Sequence, residues 1–296
     1  MAYITGGNNQ NSATGLSNKT YVLDLSSPHA PKWTAGPELP VPVRRHTAVL
    51  RGSQLVLYGG SHGPSCQENL TDAVVVATIG SDGAISRWKQ QQTSGSSPAA
   101  RMGHVSVLNP TSHLMYVVAG QTCNNCSDCY QNDAHVLDLQ AWRWSKVITT
   151  GTPPRARYGP SGWWNSVDSG VQITGGTCGE TCGACGHAND TFLLQLSGGE
   201  QDNPGFSGPW MQTQASGLGP PPRDRHCTVL LSATTVLDWG GFVDSHTVPP
   251  TWPTDVYQLD LTTAKWTDIS PKLKKNQHRE DKLRVVVGGG GGEIGI

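Results

Sequence analysis

Five tryptophans, Trp33, Trp88, Trp144, Trp210 and Trp266, fall at intervals of 55, 56, 66 and 56 residues, and each closes a segment with one order of features. A segment opens on an arginine, usually with a histidine close by, and runs through an apolar stretch into a glycine pair. A polar loop, a second apolar stretch and the tryptophan follow, and a proline-containing turn leads on. The clearest copy reads Arg45-His46, Leu55-Val56-Leu57-Tyr58-Gly59-Gly60, Asp72-Ala73-Val74-Val75-Val76 and Trp88. The next two carry Arg101, His104, Ala119-Gly120, Asp133 and Trp144, then Arg157, Gly175-Gly176, Asp190 and Trp210. The last carries Arg225-His226, Gly240-Gly241, Asp255 and Trp266, and the first begins at Ile4-Thr5-Gly6-Gly7 without an arginine stretch. Composition agrees with one aromatic position reused, since ten tryptophans stand against three phenylalanines, and 36 glycines with 20 prolines are too many for a helical chain of 296 residues.

A period near 50 residues is that of propeller blades, longer than the repeats of helical solenoids. A glycine pair lets the backbone take positive φ where a strand ends, and alternating apolar residues pack one blade face on the next. The tryptophan on the outer strand fills the wedge between blades. Because a single blade cannot bury both faces, blades stack in a ring.

The glycine pair, the Tyr-x-Leu-Asp-like third strand, the tryptophan and the following Pro-x-x-Arg-x-x-His resemble the kelch repeat, from Ala2 to about Val287. The resemblance implies an all-β, kelch-type β-propeller with five recognisable four-stranded blades, over about 2–43, 44–100, 101–156, 157–224 and 225–277. A partial strand over 278–287 and a Gly-rich tail over 288–296 follow. Kelch-like rings usually hold six or seven blades, so two readings of the end stand side by side. In one, Lys282–Val287 pairs with Ile4-Thr5 and closes a five-bladed ring. In the other it begins a sixth blade of a truncated six- or seven-bladed ring, and the glycine run is linker or read-through. The first is the slightly favoured expectation.

The formal net charge of −1 offers no long-range field of one sign to steer a polyanion or a membrane surface. No apolar run reaches the roughly 18 residues of a transmembrane helix. Met1 to Gly7 lacks the basic and apolar regions of a secretory leader. The lysines and Arg284 of the stretch 271–284 have no interleaved aromatics and read as a solvated face, so no nucleic-acid partner is expected.

Seven of the eight cysteines fall between second and third strands of three consecutive blades: Cys66, then Cys123, Cys126 and Cys129, then Cys178, Cys182 and Cys185. These loops emerge on one face, so they can meet. A disulfide set that pins long loops is the favoured reading, which suits an extracellular or secretory compartment, whereas a genuine start at Met1 is the cytoplasmic alternative. The alternative is a metal site of Cys123, Cys126, Cys129, Cys178, Cys182, Cys185 and His187, since CxxCxxC and CxxxCxxCGH bring thiolates within tetrahedral reach of zinc. Cys227 reads as a buried strand cysteine.

Arg45, Arg101, Arg157 and Arg225 with His46, His104 and His226 recur once per blade. An active site needs unlike groups converging at one place, so these read as structural, hydrogen-bonded to carbonyls within and between blades. Asp24, Asp138 and Asp260 read as turn acceptors. There is no Gly-rich phosphate loop, GxSxG elbow or HExxH motif, and neither a copper radical oxidase's ligand set nor a specifier protein's iron-binding loop can be assembled. No cofactor is expected.

The resemblance leads to a non-enzymatic module that binds a protein or a glycan through loops on one face, with His62, Asn124, Asn125, His187 and His246 as its exposed polar groups. The linkers on the same face carry Pro40, Pro98, Pro153, Pro154 and Pro220–Pro222, which stiffen it. Two alternatives remain: a metal-dependent enzyme built on the Cys/His loops, and a fragment of a larger extracellular or membrane kelch protein.

Overall fold

The computed structural model describes residues 1–9, 15–27, 30–63, 69–122, 129–178, 186–196, 206–245, 248–276, 284–286 and 293–295. They build five antiparallel sheets arranged as the blades of a propeller, with strands in meander order. Blade one holds β1 (Ala2–Thr5), β2 (Thr20–Asp24) and β3 (Lys32–Ala35). Blade two holds β4 (Thr47–Arg51), β5 (Gln54–Tyr58), β6 (Val74–Thr78) and β7 (Lys89–Gln91).

Blade three is laid out as β8 (Ser94–Gly95), β9 (Val105–Leu108), β10 (Leu114–Val118), β11 (Ala134–Asp138) and β12 (Arg143–Lys146). Blade four follows with β13 (Ile148–Gly151), β14 (Ser161–Asn165), β15 (Gly170–Thr174), β16 (Thr191–Gln195) and β17 (Ser207–Thr213). Blade five takes β18 (Ser216–Gly217), β19 (Cys227–Ser232) and β20 (Thr235–Trp239), a loop hairpin of β21 (Val243–Ser245) and β22 (Val248–Thr251), then β23 (Val256–Asp260) and β24 (Lys265–Asp268). Helix α1 (Ser270–Asn276) and the pair β25 (Arg284–Val286) and β26 (Glu293–Gly295) complete the described elements.

Two features depart from uniform four-stranded blades. In blades three to five the incoming linker adds a fifth strand, β8, β13 or β18, parallel to the tryptophan strand. Blade one has three strands, and its β1 pairs, among the described residues, with β2 alone.

The expected closure is corrected. β25 pairs with β26 instead of β1, and lies beside β19 as β4 lies beside β9, β9 beside β14 and β14 beside β19. A hairpin partner a few residues away costs less loop-closure entropy than one at the other end of the chain. Residues 293–295 of the expected tail are thus in a strand, while Gly288–Gly292 lie outside the described residues.

The cores are wedges between blades, filled by strand residues of alternating direction. Leu55, Leu57 and Trp88 pack with Tyr3 and Leu39, while Val56 and Tyr58 turn the other way to meet Met115, Val117, Leu137 and Trp144. Tyr116, Val118 and Val136 meet Val171, Ile173, Leu194 and Trp210; Trp163 meets Val236, Leu259 and Trp266. The corresponding face of blade one is open, with Ile4 52%, Tyr21 44% and Trp33 51% exposed.

Main-chain bonds join successive blades. The second glycine of each of the first four pairs donates to the following blade: Gly7 N to Val43 O at 2.8 Å, Gly60 N to Arg101 O at 2.8 Å, Gly120 N to Arg157 O at 2.9 Å and Gly176 N to Arg223 O at 2.8 Å. Both positions of each pair have φ between 61° and 102°, and Ala119 is the one non-glycine that takes it, at 62°.

Candidate functional site

Above the glycine pairs, bridges join the incoming linker to the root of the second-to-third-strand loop: Arg44 with Ser61, Met102 with Gln121, Tyr158 with Thr177 and Asp224 with Phe242. Both sets of loops therefore share one face, as their positions in the repeat predict. One residue past each of these bridge positions the backbone turns left-handed, at Arg45 (φ 57°), Gly103 (59°), Gly159 (67°) and Arg225 (54°). These four residues form a ladder: Gly103 N donates to Arg45 O at 3.0 Å, Gly159 N to Gly103 O at 2.8 Å, and Arg225 N to Gly159 O at 2.7 Å.

The ladder presents an arginine at each end and glycines between them, and aromatic side chains gather around it. Arg45 lies 5.3 Å over the Tyr158 ring, which stacks on Tyr130 at 6.2 Å. Gly103 makes this possible, because a Cβ there would run into the Tyr158 ring. Arg225 lies 4.9 Å over Phe242 and 5.7 Å from Trp252, and its Nε donates to Asp224 Oδ1 at 2.9 Å. His187 packs edge-on against Phe242, with Nε2 3.7 Å from Asp224 Oδ1. Trp252 is 67% exposed. The Tyr158 hydroxyl is buried and, among the described residues, makes no hydrogen bond. Burial pushes its pKa up, opposed by the charges of Arg45 and Arg225.

A second repeated constellation braces blades three, four and five from within. Arg101, Arg157 and Arg223 are buried, and each grips a carboxylate with both terminal nitrogens: Asp133 at 2.7 and 2.9 Å, Asp190 at 2.6 and 3.2 Å, Asp255 at 2.8 and 2.9 Å. Nη1 also donates to the carbonyl of the first residue of the glycine pair, and Nε to the carbonyl two residues back.

The structural reading of the arginines thus holds for Arg101 and Arg157, and is corrected for the other two. Arg223, not Arg225, belongs to the series, and in blade two its place is taken by Val43, not Arg45. The two misassigned arginines stand two residues later, on the left-handed ladder, where the side chain points away from the carboxylate slot. The histidines are structural: His46 Nε2 bonds Thr5 Oγ1 at 2.9 Å and His104 Nε2 bonds Thr47 Oγ1 at 2.7 Å. Asp24, Asp138 and Asp260 accept turn N–H bonds as expected.

Of the loop residues singled out from sequence, Cys66, Cys123, Cys126, Cys182, Cys185, Asn124, Asn125 and His246 lie outside the described residues. His62 is on the face, tied through Nδ1 to Pro42 O at 2.7 Å. His187 is on the face beside Asp224. Cys129 and Cys178 are disulfide-bonded, so neither presents a thiolate. Among the described residues, no three His, Cys, Asp or Glu side chains converge as metal ligands. Cys227 is exposed on β19, the edge strand of its sheet, correcting the expectation of a buried thiol. The aromatic residues of the face, Tyr130, Tyr158, Phe242 and Trp252, were missed, because they lie outside the repeat pattern and no spacing marks them.

The KLHDC2/KLHL20/DRC7 Kelch-repeats domain matches residues 72–290. The chain belongs to the kelch-repeat family. This kelch chain is 30% identical over 112 residues to Kelch domain-containing protein 3 of Homo sapiens, a match covering 38% of this chain and 26% of that one. It is 30% identical over 291 residues to Putative adagio-like protein 2 of Oryza sativa subsp. japonica, covering 92% and 41%. It is 27% identical over 225 residues to Acyl-CoA-binding domain-containing protein 5 of Arabidopsis thaliana, covering 69% and 30%. The matches thus span between about a quarter and two fifths of the length of these relatives.

Proposed function

We propose that this kelch propeller is a non-enzymatic protein-binding module whose loop face docks its partner on the arginine and aromatic cluster of Arg45, Arg225, Tyr158, Phe242 and Trp252. The observation that carries the reading is the pair of arginines on one rigid main-chain ladder, each laid over an aromatic ring. Arginine, tyrosine and tryptophan are the residues enriched where interfaces concentrate their binding energy. Two guanidinium groups favour a partner segment bearing carboxylates, which they can grip bidentately. His62 and His187 belong to the polar surround on this reading, which counts Asn124, Asn125 and His246 as further candidates and loop disulfides as the means of pinning the loops. A glycan is the second reading, favoured by the exposed Trp252 ring.

The test is binding of an identified partner, measured with wild type and with Arg45→Ala, Arg225→Ala and Trp252→Ala. Each is expected to weaken binding by about tenfold or more, on the order of 1.4 kcal/mol, with the unfolding midpoint unchanged. Gln140→Ala and Thr262→Ala, in the turns of the opposite face, serve as controls. Equal loss from the controls would sink the reading, and binding to a glycan array lost in Trp252→Ala would select the second one. Thiol counting with and without reductant tests the loop disulfides.

A further inference from the structure

The arginine slot of blades three to five is vacated in blade two. Backbone bonds set the correspondence: Gly59 N donates to Ala73 O as Ala119 N does to Asp133 O and Gly175 N to Asp190 O, and Val43 O accepts from Gly7 N as Arg101 O accepts from Gly60 N. Val43 therefore stands for the arginine and Ala73 for the aspartate. Val75 stands for Phe192 and Tyr257, the rings under Arg157 and Arg223. All members of the slot have turned apolar together, so no charge is stranded.

What remains is a cavity of about 60 Å³ lined mostly by apolar groups, among them Val43, Leu57, Ala73 and Val75, with His46, His62, Thr71 and Gln90 as its polar members. At roughly 15 Å³ for each water-sized centre it encloses about four heavy atoms, as many as a guanidinium group contains, so a longer ligand leaves the far end of its stem at the mouth. Gly59 is one of its lining residues, and correspondence with the other blades puts its carbonyl at the inner end of the slot. Its equivalents on Ala119, Gly175 and Gly240 accept a guanidinium N–H at 2.8, 2.8 and 2.9 Å. The mouth differs as well. Pro40 follows Trp33 by seven residues, as Gly95, Gly151 and Gly217 follow their tryptophans. Those glycines end the parallel fifth strands at φ 83°, 73° and 80°, a left-handed conformation that a proline ring forbids, and blade two has no such strand.

We infer that the blade-two slot is a ligand pocket for a short, unbranched, neutral group, apolar along its stem and ending in a hydrogen-bond donor. The repeat supplies the template, since the same slot three times over holds an unbranched stem whose end donates to this carbonyl. The loss of the aspartate sets the charge. A cation would be desolvated without a counter-charge, whereas a hydroxyl or amide N–H needs only the Gly59 acceptor. The pocket is independent of the ladder cluster and stands whether or not that cluster binds a protein.

The test is an amide-resolved NMR titration of the whole chain with 1-butanol and, separately, with n-propylguanidinium. Saturable shifts at Gly59, Ala73 and Val75 are expected with 1-butanol, and several-fold weaker binding of the guanidinium. Ala73→Asp is expected to reverse that order. The double variant Val43→Arg with Ala73→Asp, which rebuilds the pair found in the other blades, is expected to abolish the butanol response. Ala73→Leu, which fills the slot with hydrocarbon, gives the same readout should the double variant fail to fold. Shifts that grow linearly without saturating, or saturation that survives the filled slot, would overturn the inference and leave a cavity holding solvent only.

Discussion

His226 Nε2 stands 3.3 Å from Asp238 Oδ2 inside the wedge between blades four and five, with both side chains buried. Asp238 occupies the strand position of Leu57, Val117 and Ile173, so a carboxyl sits where the other blades place hydrocarbon. Neither of its oxygens accepts a hydrogen bond among the described residues. Burial raises its pKa from 3.8 to about 7. The native state thus holds a proton that the unfolded chain releases near pH 4. Stability falls as pH rises from there towards 7, and the whole penalty is present above it. Asp238→Leu is expected to raise the unfolding free energy at pH 8 by a few kcal/mol and to remove that decline, as urea titrations at pH 5 and pH 8 will show.

Two buried histidines, His104 and His226, and the partly buried His46 work in the opposite sense. Desolvation lowers His46 from 6.5 to about 4, and His104 and His226 to about 3. Their contribution is present above pH 6.5 and is lost as pH falls towards 4, where the unfolded chain binds protons that the native fold refuses. Replacing His104 by Gln is expected to reduce the acid slope of stability by about one proton. An unchanged slope would show that His104 titrates normally in the fold.

The bidentate pairs make a third prediction. Arg157→Met leaves the Asp190 carboxylate and the Gly175 carbonyl without their donor, and breaking a buried pair costs about 3–5 kcal/mol. The partial exposure of Asp190 places the loss near the lower end. Arg157→Val combined with Asp190→Ala copies the apolar arrangement of Val43 and Ala73 and is expected to recover much of it. Equal losses in the single and double variants would show that the slot depends on the arginine stem alone.

Gly103→Ala is expected to destabilise the fold and to disturb the Tyr130–Tyr158 stack. The new methyl meets the Tyr158 ring, and the backbone there has φ 59°. Near-ultraviolet circular dichroism and the thermal midpoint report the two effects separately.

The open face of blade one bears Ile4, Tyr21 and Trp33, whose counterparts in other blades are covered. An exposed apolar sheet face with an unpaired edge promotes association. Trp33→Lys is expected to lower the apparent mass by light scattering at high concentration without lowering the thermal midpoint.

The blade architecture is legible in the sequence because each blade repeats its tryptophan, glycine pair and third strand in register. The arginine register was harder. Trp88 to Arg101, Trp144 to Arg157 and Trp210 to Arg223 are each 13 residues, which marks Arg223. The Arg-Asp-Arg-His sequence at 223–226 nevertheless invites a choice of the arginine beside His226. Blade two hid its exception, since Arg45 offers a decoy two residues past Val43. The aromatic surround of the face carried no pattern at all, because loop residues answer to what they touch and not to strand periodicity.

The left-handed ladder joins four blades through main-chain atoms alone, so its bonds are indifferent to what side chain each rung carries. Glycine and arginine both occupy it with nearly the same φ. The rungs at 45 and 225 can therefore be rewritten as a two-letter address while the scaffold beneath them stays as it is. On the proposed reading, a change of partner needs only those letters, with no blade having to be repacked.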